Sequence, residues 1–338
     1  MSSENKYLAD CDTMRAIGII CVVFGHTLGI SESVQYWIYS FHMPLFFFLS
    51  GYVLKEGRLQ RAFSENIRHY ASRLLVPYFG FSMLTYLPWV MVTRFYGADV
   101  KLNIHPMRPI IGTFYGIGID GWLQHNAMLW FLPCLFIVHM LFQMTVSLVA
   151  EILVMGTSIL LACIGLVLSH FMPFRMPWGI EVALIAMPFY VVGYRFSKFS
   201  WVPKHKLLIA LMLVALVLAQ GLIIDLNGRV DMNFISLGNP FLFYTGAFAG
   251  IGVLWSFAQF IPKMNIVRRI ADSSMLLFVT HRTLYSVLTA VLMVFIVDMQ
   301  GFKASAAGSV AYAGWAVFVG VVFFGYFKKF VPILLGYR

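Results

Sequence analysis

"IYSFHMPLFFFLSGYVL", residues 38–54, decides the fold. The run is apolar over nearly the length a helix needs to cross a bilayer, about 20 residues. Yet His42 sits near its start, Pro44 follows two residues on, and a Ser50-Gly51 pair lies near its end. A second run, "MRAIGIICVVFGHTLGI" at 14–30, also holds an imidazole, His26. Two lipid-length segments that each keep a histidine predict a membrane chain with chemistry inside it.

Composition agrees. The 338 residues are 60% hydrophobic and 11% charged, with mean hydropathy +0.82. Soluble chains are nearer half apolar and about a quarter charged. Ten candidate spans follow, at roughly 14–31, 34–54, 74–93, 128–149, 152–172, 178–197, 206–226, 238–261, 273–297 and 305–327. The expected fold is all-α, a polytopic membrane protein of about ten transmembrane helices in one domain, 1–338. The four cysteines (Cys11, Cys21, Cys134, Cys163) have no CxxC or paired spacing. They read as apolar fillers, with no disulfide framework and no metal site. No basic leader with a cleavage site precedes the first run, so that helix is expected to remain as an anchor.

The net charge of +10 is decided by its placement. With the N-terminus in the cytoplasm, seventeen of the 24 Lys and Arg residues fall in inside segments, Lys6, Lys204 and Arg338 among them, and six fall outside. This bias orients the chain with both termini cytoplasmic. The charge is then a collar facing anionic lipid, not a nucleic-acid surface; either it serves topology alone or part of it also receives an anionic cofactor. Residues 55–73 read as an amphipathic helix on the inner leaflet, with Leu59, Phe63, Ile67 and Ala71 every fourth residue. The outside loop 94–127 holds Asp99, His105, Asp120, Trp122 and His125, which either touch an acceptor or are simply solvated.

Ionisable groups inside spans cost about 2.5–3.5 kcal/mol when charged, and they mark function by default. Here they are His26, His42, His139, Glu181, His281 and Arg282. Arg15 and His26 are eleven residues apart, about 1100° of helix, so they share a face about 16 Å apart along the axis. A guanidinium at the cytoplasmic mouth with an imidazole deeper in suits a long ligand with an anionic head and a reactive tail. Coenzyme A thioesters have that shape, and the arginine fork suits phosphate. His42 and His26 are expected within a few Å of one depth. Pro44 cannot donate to the Ser40 carbonyl. The second span is therefore expected to kink there and to wall a polar pocket, unless His42 is only a packed, hydrogen-bonded histidine. His139 reads as packing, and Arg282 either pairs with Glu181 or meets cofactor.

Asp12-x-x-Arg15 with His26 eleven residues on from Arg15, "FHMPLFFFLSGY", "LWFLPCLF" (129–136) and "ADSSMLLFVTH" (271–281) together resemble the acyltransferase-3 family of bacterial membrane acyltransferases. "NGRVDM" and "GNPFLFY" are similar to its fucose 4-O-acetylase-like group. The likeness runs from about residue 10 to 325. It implies O-acylation in the bacterial inner membrane: transfer of acetyl from cytoplasmic acetyl-CoA to a hydroxyl of a cell-surface glycan or lipid-linked sugar, with no metal. Arg15 and His26 match the family's essential pair, and Arg73 in "SRLLVP" matches a family arginine. Trp130, Ser274 and His281 match less specific positions. His26 is the expected general base or acyl carrier, with His42 and His281 as further catalytic candidates. Arg15, Arg73, Ser274 and Trp130 are the candidates for holding the donor. The competing expectation is a transporter or flippase for a polysaccharide or lipid-linked sugar.

Overall fold

The computed structural model describes residues 3–95, 98–198 and 205–337, with side chains for all of these except 3–9 and 98. The Lys6 side chain, Lys204 and Arg338 lie outside the described residues. Among the described residues all regular structure is helical, apart from an isolated bridge between Asp231 and Ser236. Ten long helices carry the fold: α1 (Ser3–Gly25), α2 (Glu32–Tyr52), α3 (Val76–Met91), α4 (Phe131–Leu148), α5 (Val154–Phe171), α6 (Ile180–Ser197), α7 (Lys206–Asn227), α8 (Pro240–Ala258), α9 (Ser274–Leu292) and α10 (Ala306–Phe330).

Eight of the helical segments are long and apolar enough to cross a membrane: a rod from Phe63 to Phe95 that contains α3, and those containing α4 to α10. The chain is an all-α, multi-pass membrane protein. Helices α1 and α2 are as long, at 23 and 21 residues. They are less apolar because α1 carries Asp10, Asp12 and Arg15, and α2 carries Glu32, Gln35, Ser40 and His42. The outward faces of α5 (Ile159, Leu160, Val167) and α7 (Leu207, Leu211, Leu218, Leu222) are bare hydrocarbon. Lipid tails solvate such faces, and the helical backbone meets its own hydrogen bonds there.

The chain forms two compact units. The first comprises residues 1–49, 198–232 and 236–325. Within it α7 packs on α8, and α1 packs on α8, α9 and the short helix Asn265–Asp272. A buried polar clamp ties α7 to α2: Trp37 Nε1 donates to Gln220 Oε1 (2.9 Å), and Gln220 Nε2 donates to Ser40 Oγ (3.0 Å). Gly250 of α8 makes room for it; a Cβ there would lie 2.5 Å from Gln220 Nε2 and 2.6 Å from the Phe41 Cβ. Helix α2 runs unbroken from Glu32 to Tyr52 with Pro44 inside it. The proline removes one bond to Ser40 without ending the helix.

The second unit comprises 50–197, 233–235 and 326–338, with α6 packed on α4 and α5. Here the structure corrects the expectation of a separate amphipathic helix at 55–73. Only Glu56–Leu59 stands apart; Phe63–Tyr70 continues into α3 through a π turn at Ala71–Leu75. A π turn carries one extra residue within a helix, and that residue re-phases the rod. Discounting it, Tyr78, Phe81, Ser82, Thr85 and Trp89 fall within about 60° of Asn66 at 100° per residue; all six are buried. With plain α periodicity they would lie about 60–160° away from Asn66.

Candidate functional site

The first unit gathers three of the predicted residues. Helix α1 ends at Gly25, and His26 is the next residue. The last four carbonyls of a helix lack intrahelical donors, and here three of them find one. His26 Nδ1 donates to Val22 O (2.6 Å). Tyr285 Oη of α9 donates to Val23 O. The Thr27 amide (3.0 Å) and hydroxyl (2.7 Å) both reach Phe24 O. His26 is thus the C-terminal cap of α1 as well as a candidate for chemistry.

His42 and His281 repeat the arrangement. His42 Nδ1 donates to Ile38 O (2.9 Å), and His281 Nδ1 donates to Leu277 O and Phe278 O (3.0 Å each). A carbonyl only accepts, so each Nδ1 holds the proton and each Nε2 holds a lone pair. The rings converge: His26 and His281 centroids are 5.2 Å apart, His26 and His42 6.3 Å. His42 and His281 are buried, and His281 Nε2 has no partner. No set of these groups has metal-ligating geometry among the described residues. The result is a cluster of three imidazoles whose Nε2 atoms, in the neutral rings, are basic.

Two tyrosines and two arginines that sequence reasoning did not group with the histidines complete it. The Tyr39 ring lies 4.8 Å from His42 and 5.9 Å from His26, and Tyr285 lies 5.7 Å from His281. Helical spacing held the signal: Tyr39 is three residues before His42 and Tyr285 four after His281, so each pair shares a face. Arg229, from the "NGRVDM" segment, sits 4.8 Å over the Tyr39 ring and pairs with Asp231 at 3.5 Å. Arg282 follows His281, its side chain exposed. Fields from both arginines reach His26.

The other candidates fall as follows. Arg15 lies on α1 and pairs loosely with Asp12 at 4.0 Å, which leaves guanidinium donors for a ligand. Ser274 opens α9 two turns before His281 and is half-buried. Arg73 and Trp130 belong to the second unit. Arg73 is exposed within the π turn, with Nε 3.5 Å from Gly336 O. Trp130 is buried just before α4; a Cβ on Gly118 would lie 3.0 Å from its ring. Glu181 pairs with Arg175, not with Arg282. His139 is a satisfied core histidine: Tyr190 Oη lies 2.7 Å from its Nδ1, and Tyr70 stacks on it at 3.9 Å. In loop 94–127, Asp99 accepts from Trp89 Nε1 (3.0 Å) and Gln124 Nε2 (2.7 Å). Both nitrogens of the neighbouring His125 are buried without partners, and burial pushes its pKa down to about 4.

A family model described as an acyltransferase domain matches residues 8–327. The nodulation protein NolL of Sinorhizobium fredii (strain NBRC 101917 / NGR234) is 25% identical over 198 residues, 55% of this chain and 48% of that protein. The chain thus aligns with about half the length of that relative. No solved structure matches. With the family match extending over nearly its whole length, the chain belongs to the acyltransferase-3 family.

Proposed function

We propose that this membrane acyltransferase moves acetyl from acetyl-CoA to a hydroxyl of a glycan or lipid-linked sugar, in the bacterial inner membrane with both termini cytoplasmic. The carrying observation is the histidine cluster. Three imidazoles have their Nδ1 protons committed to backbone, so their Nε2 lone pairs are left to accept a proton. A sugar hydroxyl is a poor nucleophile near neutral pH and needs such an acceptor, typically contributing about 10²–10⁴-fold.

In the direct form, the hydroxyl oxygen attacks the thioester carbonyl carbon while His26 Nε2 takes its proton. The tetrahedral intermediate then expels the coenzyme A thiolate, which takes that proton from the imidazolium. The passing positive charge on His26 sits at the C-terminal end of α1, the negative end of its dipole. In the covalent form, His26 Nε2 attacks the thioester carbon and expels the coenzyme A thiolate; the sugar hydroxyl then attacks the acyl-imidazolium, its proton passes to the thiolate, and the ester leaves with neutral His26 restored. Either way the donor runs along α1. Its phosphates lie at Arg15, with Ser274 as a further donor contact, and its thioester lies about 16 Å along the helix, at His26. His42 and His281 act beside His26, as a hydrogen-bond donor to the oxyanion once protonated or as relays for the proton.

The test is purified protein in proteoliposomes with ¹⁴C-acetyl-CoA. Release of coenzyme A, raised by a sugar acceptor and lost in His26→Gln, is expected. Equal release by the glutamine variant overturns the mechanism. Sugar flux with no thioester cleavage overturns the enzyme reading in favour of transport.

A further inference from the structure

We propose that Arg282, with Arg229, holds a phosphate carried by the acyl acceptor, which makes the acceptor a phosphate-bearing amphiphile and not a neutral glycan. This rests on reading the histidine pocket as the acyl-transfer site. Arg282 is the ninth of the 19 residues of α9. Among the described residues its guanidinium has no salt bridge and no hydrogen bond. A cation in mid-helix in lipid is costly, and natural chains keep one where a partner compensates it.

Among the described residues the neighbourhood supplies no such partner. The Arg282 field reaches His26, His281, Tyr39 and Tyr285, all neutral groups. Arg229 also hydrogen-bonds Tyr39, and its one acid is Asp231. Two cations against one acid leave a single positive charge beside the imidazoles. The C-terminal end of α1 offsets about half a charge at most. A bound anion completes the site, and the arginine fork fits a phosphate with paired hydrogen bonds.

Two arguments say which anion. On the acyl-transfer reading the donor's phosphates belong at Arg15, about 16 Å along α1 from His26, which leaves the anion at Arg282 to the acceptor. And the exposed stripe of α9 that begins at Arg282 continues through Ser286, Val287, Ala290 and Val291, with Val294 exposed just past the helix end. Beyond the serine it is all hydrocarbon. A phosphate seated on Arg282 with an apolar chain along that stripe satisfies both halves of the surface.

The test uses radiolabelled farnesyl phosphate binding to the full chain in phosphatidylcholine nanodiscs, without acetyl-CoA. Saturable binding is expected, with no competition from farnesol. Arg282→Gln should weaken it about tenfold or more, the size of one lost charge-assisted bond. Arg282→Lys should keep part of it, and His26→Gln should bind as wild type. Unchanged affinity in Arg282→Gln, equal competition by farnesol, or loss of affinity for coenzyme A in its place each overturns the proposal. So does complete displacement by nanodiscs containing phosphatidylglycerol, since the site then takes any anionic headgroup. Acetyl-CoA cleavage is measured on the same preparations. His26-dependent cleavage without farnesyl phosphate binding sinks this inference alone. Arg282-dependent binding without cleavage sinks the acyl-transfer reading and leaves an anion site.

Discussion

Replacing His26 separates two roles that the structure joins in one ring. The first is structural: Nδ1 caps Val22 O at 2.6 Å. Alanine leaves that carbonyl without a donor, at about 1–3 kcal/mol if no water or neighbour reaches it. The adjacent carbonyls keep Tyr285 and Thr27, so α1 should stay helical and the loss should fall at the low end of that range. The second role is chemical. Without a proton acceptor, turnover should fall about 10²–10⁴-fold, and further if His26 carries the acyl group. His26→Gln distinguishes the roles, because its amide can donate to Val22 O but cannot take a proton. The expected pattern is a lowered thermal midpoint for alanine, a nearly native one for glutamine, and negligible turnover for both. The assay is coenzyme A release at saturating acetyl-CoA beside a thermal melt in the same detergent. Near-native turnover by His26→Gln would refute the reasoning, since the cap would then be the whole role of the residue.

Arg15→Lys should raise the KM for acetyl-CoA with kcat little changed, and Arg15→Ala should raise it more, because a point charge replaces a fork. The same KM ratio with a donor lacking the 3′-phosphate and with intact acetyl-CoA would still allow a diphosphate contact; no rise with either donor refutes the contact. Gly250→Val should lower the thermal midpoint sharply, because a Cβ at that position already meets Gln220 and Phe41 below contact distance; a native melt would show that the α2–α7–α8 packing is misplaced. His125 should make stability fall on the acid side. Its folded pKa of about 4 is depressed, so its contribution is full above the unfolded value, about 6.5, and declines as pH drops from there toward 4. His125→Leu should flatten that fall in a pH series of thermal melts, and an unaltered acid limb counts against a buried neutral ring.

The long apolar runs were legible because lipid demands them, and eight of the segments are apolar enough to cross a membrane; the observed helices match the expected spans to within about five residues except at α1, which runs Ser3–Gly25 where 14–31 was expected. The convergence of His26 and His42 was also legible, since their distances from the outer ends of adjacent spans nearly match. Arg229 was not. It reaches the Tyr39 ring through a fold-back of the Asn227–Asn239 connection, and a loop residue carries no periodicity to place it. The partner of Glu181 was missed for the same reason, Arg175 lying in the turn before α6. Pro44 was read as freeing the Ser40 carbonyl and kinking the second span; it stands inside a helix that continues from Glu32 to Tyr52. The split assigned between residues 73 and 74 was a phase slip seen as a break.

That phase slip bears on how the chain can change in length. In most of a membrane helix, an insertion or deletion keeps the inner face inward only if it amounts to a whole turn, three or four residues. At Ala71–Leu75 a single residue can be removed without breaking the rod, because the π turn then relaxes to an ordinary α turn. The cost is rotational. The stub from Phe63 to Tyr70 would swing by about 100° relative to α3, turning Asn66 off the buried face and parting its amide from the Arg58 carbonyl it now holds at 2.9 Å. The π turn therefore sets the angular register between the two halves of the rod, and a one-residue gap at this point should be accompanied by loss of the asparagine.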